Sequence, residues 1–375
     1  MECSRIHNDR GYVSVLKRGA VGCMAVFLII LPTGRTEASV AGLCSNCHIM
    51  HAQEDGIEHP PDEYLTKEDC VGCHSSTEGS TMLSLGSGSG ASRVPIVFNT
   101  IMPAEQSLAG GNFYWVTTDD TMGHNVMGIS EPDSHLGDDP LDPIVPGSRF
   151  GSSRTNMKVS ECLQCHESIG HTGGIPWGIE RDKNYLICQD CHHAVRHHAP
   201  DPPSSDPVVE EENGWYRFLF GVNGLEDPDW EQSPSSTQHN EYQGETSSGG
   251  GSISEICAQC HMMYHALRSP GDVGTGSPWL RHPSDVPLPS GTPPTEYEAY
   301  TEYNPQVPVA RPDLTGFSGP RSSVTPGEDQ VMCLSCHRAH GTPYPDLLRW
   351  DYTEMVAGDD TASGGCLVCH AHKND

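Results

Sequence analysis

Cys-X-X-Cys-His occurs seven times in this 375-residue chain. The copies are Cys44, Cys47 and His48; Cys70, Cys73 and His74; Cys162, Cys165 and His166; Cys188, Cys191 and His192; Cys257, Cys260 and His261; Cys333, Cys336 and His337; and Cys366, Cys369 and His370. In this pattern two thiols add across the two vinyl groups of one haem and the following histidine binds the iron from one face, so each copy reads as a c-type haem attachment site. The competing chemistry is structural zinc, which also uses Cys-X-X-Cys pairs. Zinc does not require a histidine directly after the second cysteine every time, and the chain carries the marks of export to a compartment where free thiols oxidise.

Those marks lie at the N-terminus. Lys17 and Arg18 form a basic flank, residues 20–31 an apolar run, and residues 36–41 a small-residue cleavage region. The run is too short to span a bilayer and reads as a signal peptide over 1–38, cleaved near 38–41; no later stretch is apolar enough to cross a membrane. Fourteen of the sixteen cysteines are in the motifs, and the other two, Cys3 and Cys23, fall in the signal, so the mature chain has none left for a disulfide.

Removing residues 1–38 takes five basic side chains from 21 and three acidic ones from 50, leaving 16 against 47, a net of −31. Such a charge excludes nucleic acid and anionic membranes as partners and suits other redox proteins or metal-oxide acceptors.

Residues 39–375 read as one seven-haem domain, with close motif pairs at 44–74, 162–192 and 333–370 and a single motif at 257–261. So little polypeptide per haem cannot build a separate apolar core around each porphyrin, so the haems must supply the core. The expected fold is irregular and loop-rich with short helices, a multihaem cytochrome c built on a chain of stacked haems. Glycine and proline together make 70 of 375 residues, which suits ordered loops wrapped on cofactors. Short strands are predicted over 95–101 and 112–117.

The sixth iron ligand decides the chemistry. Thirteen further histidines remain outside the signal, enough for a second histidine on every haem, which closes the iron to substrates and leaves electron transfer. Eight candidates stand for seven places: His51, His124, His171, His198, His239, His265, His282 and His340. His51, His265 and His340 follow a proximal histidine too closely to reach the far face of their own haem. Each can serve a neighbour, and for His340 the expected neighbour is the haem of Cys366 and Cys369. The cluster His193, His197 and His198 offers one ligand that position alone cannot choose. His59, His135 and His372 read as surface residues. An enzyme of the multihaem nitrite or hydroxylamine type resembles proteins with an open haem, often on a motif with lysine in place of the proximal histidine. All seven motifs here end in histidine, so no enzyme is expected.

Several segments, in order, carry a resemblance: residues 44–51, Asn112 to Val116 with Gly123, His124 and Asn125, residues 257–261 leading to Leu280, Arg281, His282 and Pro283, and residues 333–340. Together they resemble the secreted multihaem cytochromes of metal-reducing bacteria that polymerise into conductive filaments, the OmcS and OmcE type. The resemblance implies bis-histidine haems stacked along a homopolymer, a histidine crossing from one subunit to a haem of the next, and an extracellular or outer-surface location. The alternative is a soluble periplasmic or outer-surface carrier. It also implies that His51, His124, His282 and His340 are distal ligands. The stretch 162–242 departs from the family's pattern, so its pairings there do not transfer. An intact mass seven haems above that of the processed polypeptide is the expected outcome of mass spectrometry.

Overall fold

The computed structural model describes residues 40–50, 53–54, 57–58, 65–103, 108–131, 133, 186–192, 195–246, 250–261, 264–265, 281–359 and 363–373, all within a compact unit spanning 36–375. Regular structure is short throughout, as the haem-to-residue ratio predicts. Among the described residues five α-helices begin or end on a motif: α1 (Cys70–Cys73), α2 (Cys188–Cys191), α3 (Ile253–Cys260), α4 (Cys333–Cys336) and α5 (Cys366–Cys369). The first motif forms a 3-10 turn over Cys44–Asn46.

One hydrogen bond explains these turns. The backbone N–H of the motif histidine donates to the carbonyl of the first cysteine at 2.9 Å for His48, 2.8 Å for His74, 2.9 Å for His192, 2.8 Å for His261, 3.1 Å for His337 and 2.9 Å for His370. A single helical turn sets residues three and four apart on one face, so both thiols and the imidazole face the same way. Side chains hold the starts of these turns. Asp69 accepts from Gly72 N at 2.7 Å, the Asp190 carboxylate accepts from Ile187 N at 2.9 Å, and Ser335 Oγ accepts from Met332 N at 3.0 Å while donating to Pro308 O at 2.6 Å.

The strands are equally brief. β1 (Gln53–Glu54) and β2 (Ile57–Glu58) pair antiparallel; β3 (Ser75–Ser76) runs parallel to β6 (Phe98–Asn99); β4 (Met82–Leu85) and β5 (Ser92–Pro95) form a hairpin. A six-stranded sheet follows in the order β10-β12-β11-β9-β8-β7, made of β7 (Val208–Val209), β8 (Gly224–Leu225), β9 (Glu241–Gln243), β10 (Val286–Pro287), β11 (Ala310–Arg311) and β12 (Gln330–Val331). The strand expected over 112–117 is instead a turn leading into a 3-10 helix at Trp115–Thr117. Asn112 is the reason: its side-chain oxygen accepts from Tyr114 N and Asn99 N, and its amide donates to Asn99 Oδ1, which bends the chain at its first residue.

The polypeptide contributes small apolar clusters between the motifs. One gathers Tyr216, Val222, Tyr242, Ile253, Ala310, Met332 and Leu334; another gathers Leu288, Tyr300, Tyr303, Val309 and Val324, with Val368 and Cys369 packed against it. Beside the second cluster Arg311, only 2 % exposed, donates to Glu241 at 2.7 Å and to Asp329 at 2.7 Å. Burial raises the Glu241 carboxyl, but hydrogen bonds from His239 and Arg311 and the Arg311 charge outweigh it and hold the group below its ordinary 4.5. Its contribution to stability is therefore present above that value and lost as acid takes the pH down through the lowered pKa. Among the described residues no helix is long and apolar enough to cross a membrane.

Arg311→Met should destabilise the fold by about 3–5 kcal/mol in a denaturant titration, because it leaves two buried carboxylates facing each other without their cation.

Candidate haem centres

Six of the seven motifs lie in the described residues; Cys162, Cys165 and His166 do not, nor do His51 and His171. Opposite five of the six described motif histidines stands a second histidine. Ring centroids are 6.0 Å apart for His48 and His198, 6.2 Å for His74 and His197, 6.0 Å for His192 and His340, 6.3 Å for His261 and His124, and 6.2 Å for His370 and His282. Two imidazole nitrogens each about 2.0 Å from one metal, with ring centres about 1.1 Å behind them, put the centroids about 6.2 Å apart. The observed separations match a metal held between the rings. Among the described residues, none faces His337 in this way.

The tautomers agree with this reading. A carbonyl or carboxylate oxygen only accepts, so a ring nitrogen bonded to one carries the proton and leaves the other nitrogen its lone pair. Nδ1 donates in this way from His74 to Pro95 O at 2.8 Å, from His192 to Arg217 O at 2.8 Å, from His337 to Asp346 O at 2.7 Å, from His124 to Ala339 O at 2.7 Å and from His282 to Pro283 O at 2.9 Å. His370 Nδ1 donates to Glu296 Oε1 at 3.3 Å. Each Nε2 is thus left as the metal-binding atom. Burial lowers the pKa of His74, His192, His197, His282 and His337, keeping the rings neutral. His340 is pushed down to about 3, first by burial and then by the neighbouring His192 and His124.

Three expectations need correction: the pairing of His340, the role of His239 and the number of ligands in the cluster after Cys191. His340 does not face the Cys366 motif; it stands opposite His192, while His282 takes the place opposite His370. The backbone decides this, since His340 N donates to Gly110 O at 2.7 Å and Gly110 has no side chain to fend off the ring. His239 has both nitrogens engaged, Nδ1 at 2.9 Å from Ser235 O and Nε2 at 3.3 Å from Glu241, and its ring stacks on Tyr303 at 3.5 Å, so it is a structural residue. His265, 2 % exposed, sits 3.5 Å from Glu245 and 3.6 Å from Asp285 and faces no motif histidine among those described. The cluster after Cys191 supplies two rings where one was expected. His197 and His198 are adjacent in sequence and face successive motif histidines, a signal that a pair of neighbouring histidines carries and single-ligand counting missed.

Two hydrogen bonds join motifs distant in sequence. Gln189 Nε2, inside the Cys188 motif, donates to Cys70 Sγ at 3.7 Å, and Cys333 N donates to Ser254 Oγ at 3.2 Å. The motif at Cys257, isolated in sequence and carried on the helix that holds Ser254, therefore adjoins the one at Cys333 in space.

The model of the doubled CXXCH motif family matches residues 325–375, the last two motifs. No curated protein matches the chain. Among solved structures, the Outer Membrane Cytochrome S Filament from Geobacter sulfurreducens is 18% identical, with 84% of this chain and 85% of that one covered and a TM-score of 0.49. The OmcS nanowires of the same organism, solved by cryo-EM, are 17% identical over 83% and 84%, with a TM-score of 0.43. The doubled CXXCH segment over 325–375 and the one-turn geometry shared by the six described motifs mark them as c-type haem attachment motifs.

Proposed function

We propose that this protein carries electrons along seven haems, each closed by two histidines, and that it does so outside the cell. The observation that carries this reading is the set of five histidine pairs at metal-bridging separation. In it His198 is the distal ligand to the Cys44 site, His197 to the Cys70 site, His340 to the Cys188 site, His124 to the Cys257 site and His282 to the Cys366 site. A haem held this way exchanges one electron and offers a substrate no open coordination position. The polypeptide's part is to fix at least one imidazole of four of the pairs through its Nδ1 bond, on His74, His192, His124, and both His282 and His370. The acidic surface favours cationic or mineral-bound acceptors over nucleic acid.

The finer reading is a subunit of a cytochrome filament, with His51 reaching a haem of an adjacent copy; it rests on the ordered sequence segments that resemble filament-forming cytochromes. Exposed Leu43 and Met50 flank His48, and exposed Tyr352 and Val356 precede the last motif, giving apolar contacts that copies of the chain could cover. The other reading is a monomeric carrier. Electron microscopy of the secreted fraction separates them: filaments that disappear in a folded, fully haem-loaded His51→Ala protein support the interface role, and filaments of normal length with an unchanged low-spin spectrum overturn it.

Ligand pairing has its own test. His340→Met should raise the potential of the Cys188 haem, and His282→Met that of the Cys366 haem, since a Met/His iron lies above a bis-His one. Redox titration with each haem assigned by spectroscopy checks both. A shift of the Cys366 haem in the His340 variant would restore the pairing suggested by sequence position.

A further inference from the structure

Five of the haem-site histidines donate Nδ1 to a backbone carbonyl: His74, His192, His337, His124 and His282. His370 donates instead to a carboxylate, Glu296 Oε1 at 3.3 Å. The two kinds of acceptor differ chemically. A neutral carbonyl orients the ring, whereas a carboxylate, ionised at neutral pH, also draws on the Nδ1 proton and makes Nε2 a stronger electron donor to a bound iron.

The fold holds Glu296 at this place. It opens the 3-10 helix Glu296–Ala299. Glu298 pins the start of that helix, its Oε1 accepting from Thr295 N at 3.2 Å and from Gly291 N at 2.8 Å, while Thr295 Oγ1 donates to Pro289 O at 2.8 Å. The Tyr297 ring meets the His370 ring edge-on at 5.2 Å. Tyr300, at the far end, belongs to the apolar cluster against which Val368 and Cys369 pack. Glu296, Tyr297 and Tyr300 thus tie the helix to the last motif together.

Lys373 completes the group. It lies one 3-10 turn beyond the motif, its backbone N–H donating to His370 O at 3.0 Å, and its ammonium stands 3.5 Å from the same Glu296 oxygen. The Lys373 side chain is 58 % exposed against 14 % for Glu296, so water screens the cation more than the carboxylate and the balance at His370 is negative.

We propose that Glu296 tunes the haem attached at Cys366 and Cys369, lowering its potential below the value a carbonyl acceptor would give by strengthening His370 as a ligand, and that Lys373 limits the effect. This rests on the haem-site reading above and adds a positioning residue that acts on the iron through His370. Electron density added at the ligand stabilises ferric over ferrous iron. At this site Glu296 favours giving an electron up over keeping it.

The test compares the unsubstituted holoprotein with Glu296→Gln, which keeps an oxygen acceptor but removes its charge, and with Lys373→Met, an exposed change that decides alone if the first variant fails to load haem. Mass spectrometry of the peptide carrying Cys366 and Cys369 first establishes attachment, and absence of haem there in the unsubstituted protein would overturn the haem reading and this proposal together. With haem attached, redox titration of Glu296→Gln should show one potential raised, the ratio of reduced to oxidised haem at a fixed poise rising about fivefold for the exchange of a charged acceptor for a neutral one. Lys373→Met should lower that same potential. One low-spin ferric signal should also change its g values in Glu296→Gln; a raised potential with every g value unchanged would mark a charge acting at a distance and overturn the role of His370. Potentials unchanged in both variants would overturn the tuning and leave the haem reading intact.

Discussion

The hydrogen bond from each described motif histidine's N–H to the first cysteine's carbonyl is the constraint on which the rest depends. It closes one turn, and one turn is all that a haem attachment site asks of the backbone. Longer helices would bring side chains that need burial of their own, and the protein has little apolar surface to spend on them. Most of the motif helices are therefore four residues long, and the chain between them is free to serve the opposite faces of neighbouring sites.

That second task falls to loops, and loops position a ligand by hydrogen bonding more than by packing. His124 and His282 sit on irregular backbone, yet each is oriented by a carbonyl that accepts from Nδ1. The polypeptide's own apolar clusters lie between the motifs and hold the loops to one another, and the Arg311 network stitches strands distant in sequence.

How much was legible in the sequence divides along the same line. The motif turns could be read directly, because their chemistry is local: three residue types at fixed spacing specify the attachment and the helical turn at once. The distal partners could be read only in part. His124, His198, His282 and His340 come out as histidines facing motif histidines, but which site each faces depends on chain paths that no local spacing records. His340 shows why. Its position three residues after His337 forbids its own site, but the choice of neighbour was settled by its backbone bond to Gly110, some 230 positions earlier in the chain. His239 looked identical to the ligands as a loop histidine, and only its contacts with Ser235, Glu241 and Tyr303 show a structural role.

His197 and His198 carry a consequence of a mechanical kind. Adjacent Cα atoms are about 3.8 Å apart across a trans peptide, a distance no loop motion can stretch. In the proposed pairing these two residues hold successive sites, so one peptide plane acts as a spacer bar between them. Thermal breathing of the long loops can tilt this pair of sites together but can hardly draw them apart. Inserting even one residue between the two histidines would loosen the gap at that point alone, making it a place where the conductor could be tuned by length without altering a single ligand.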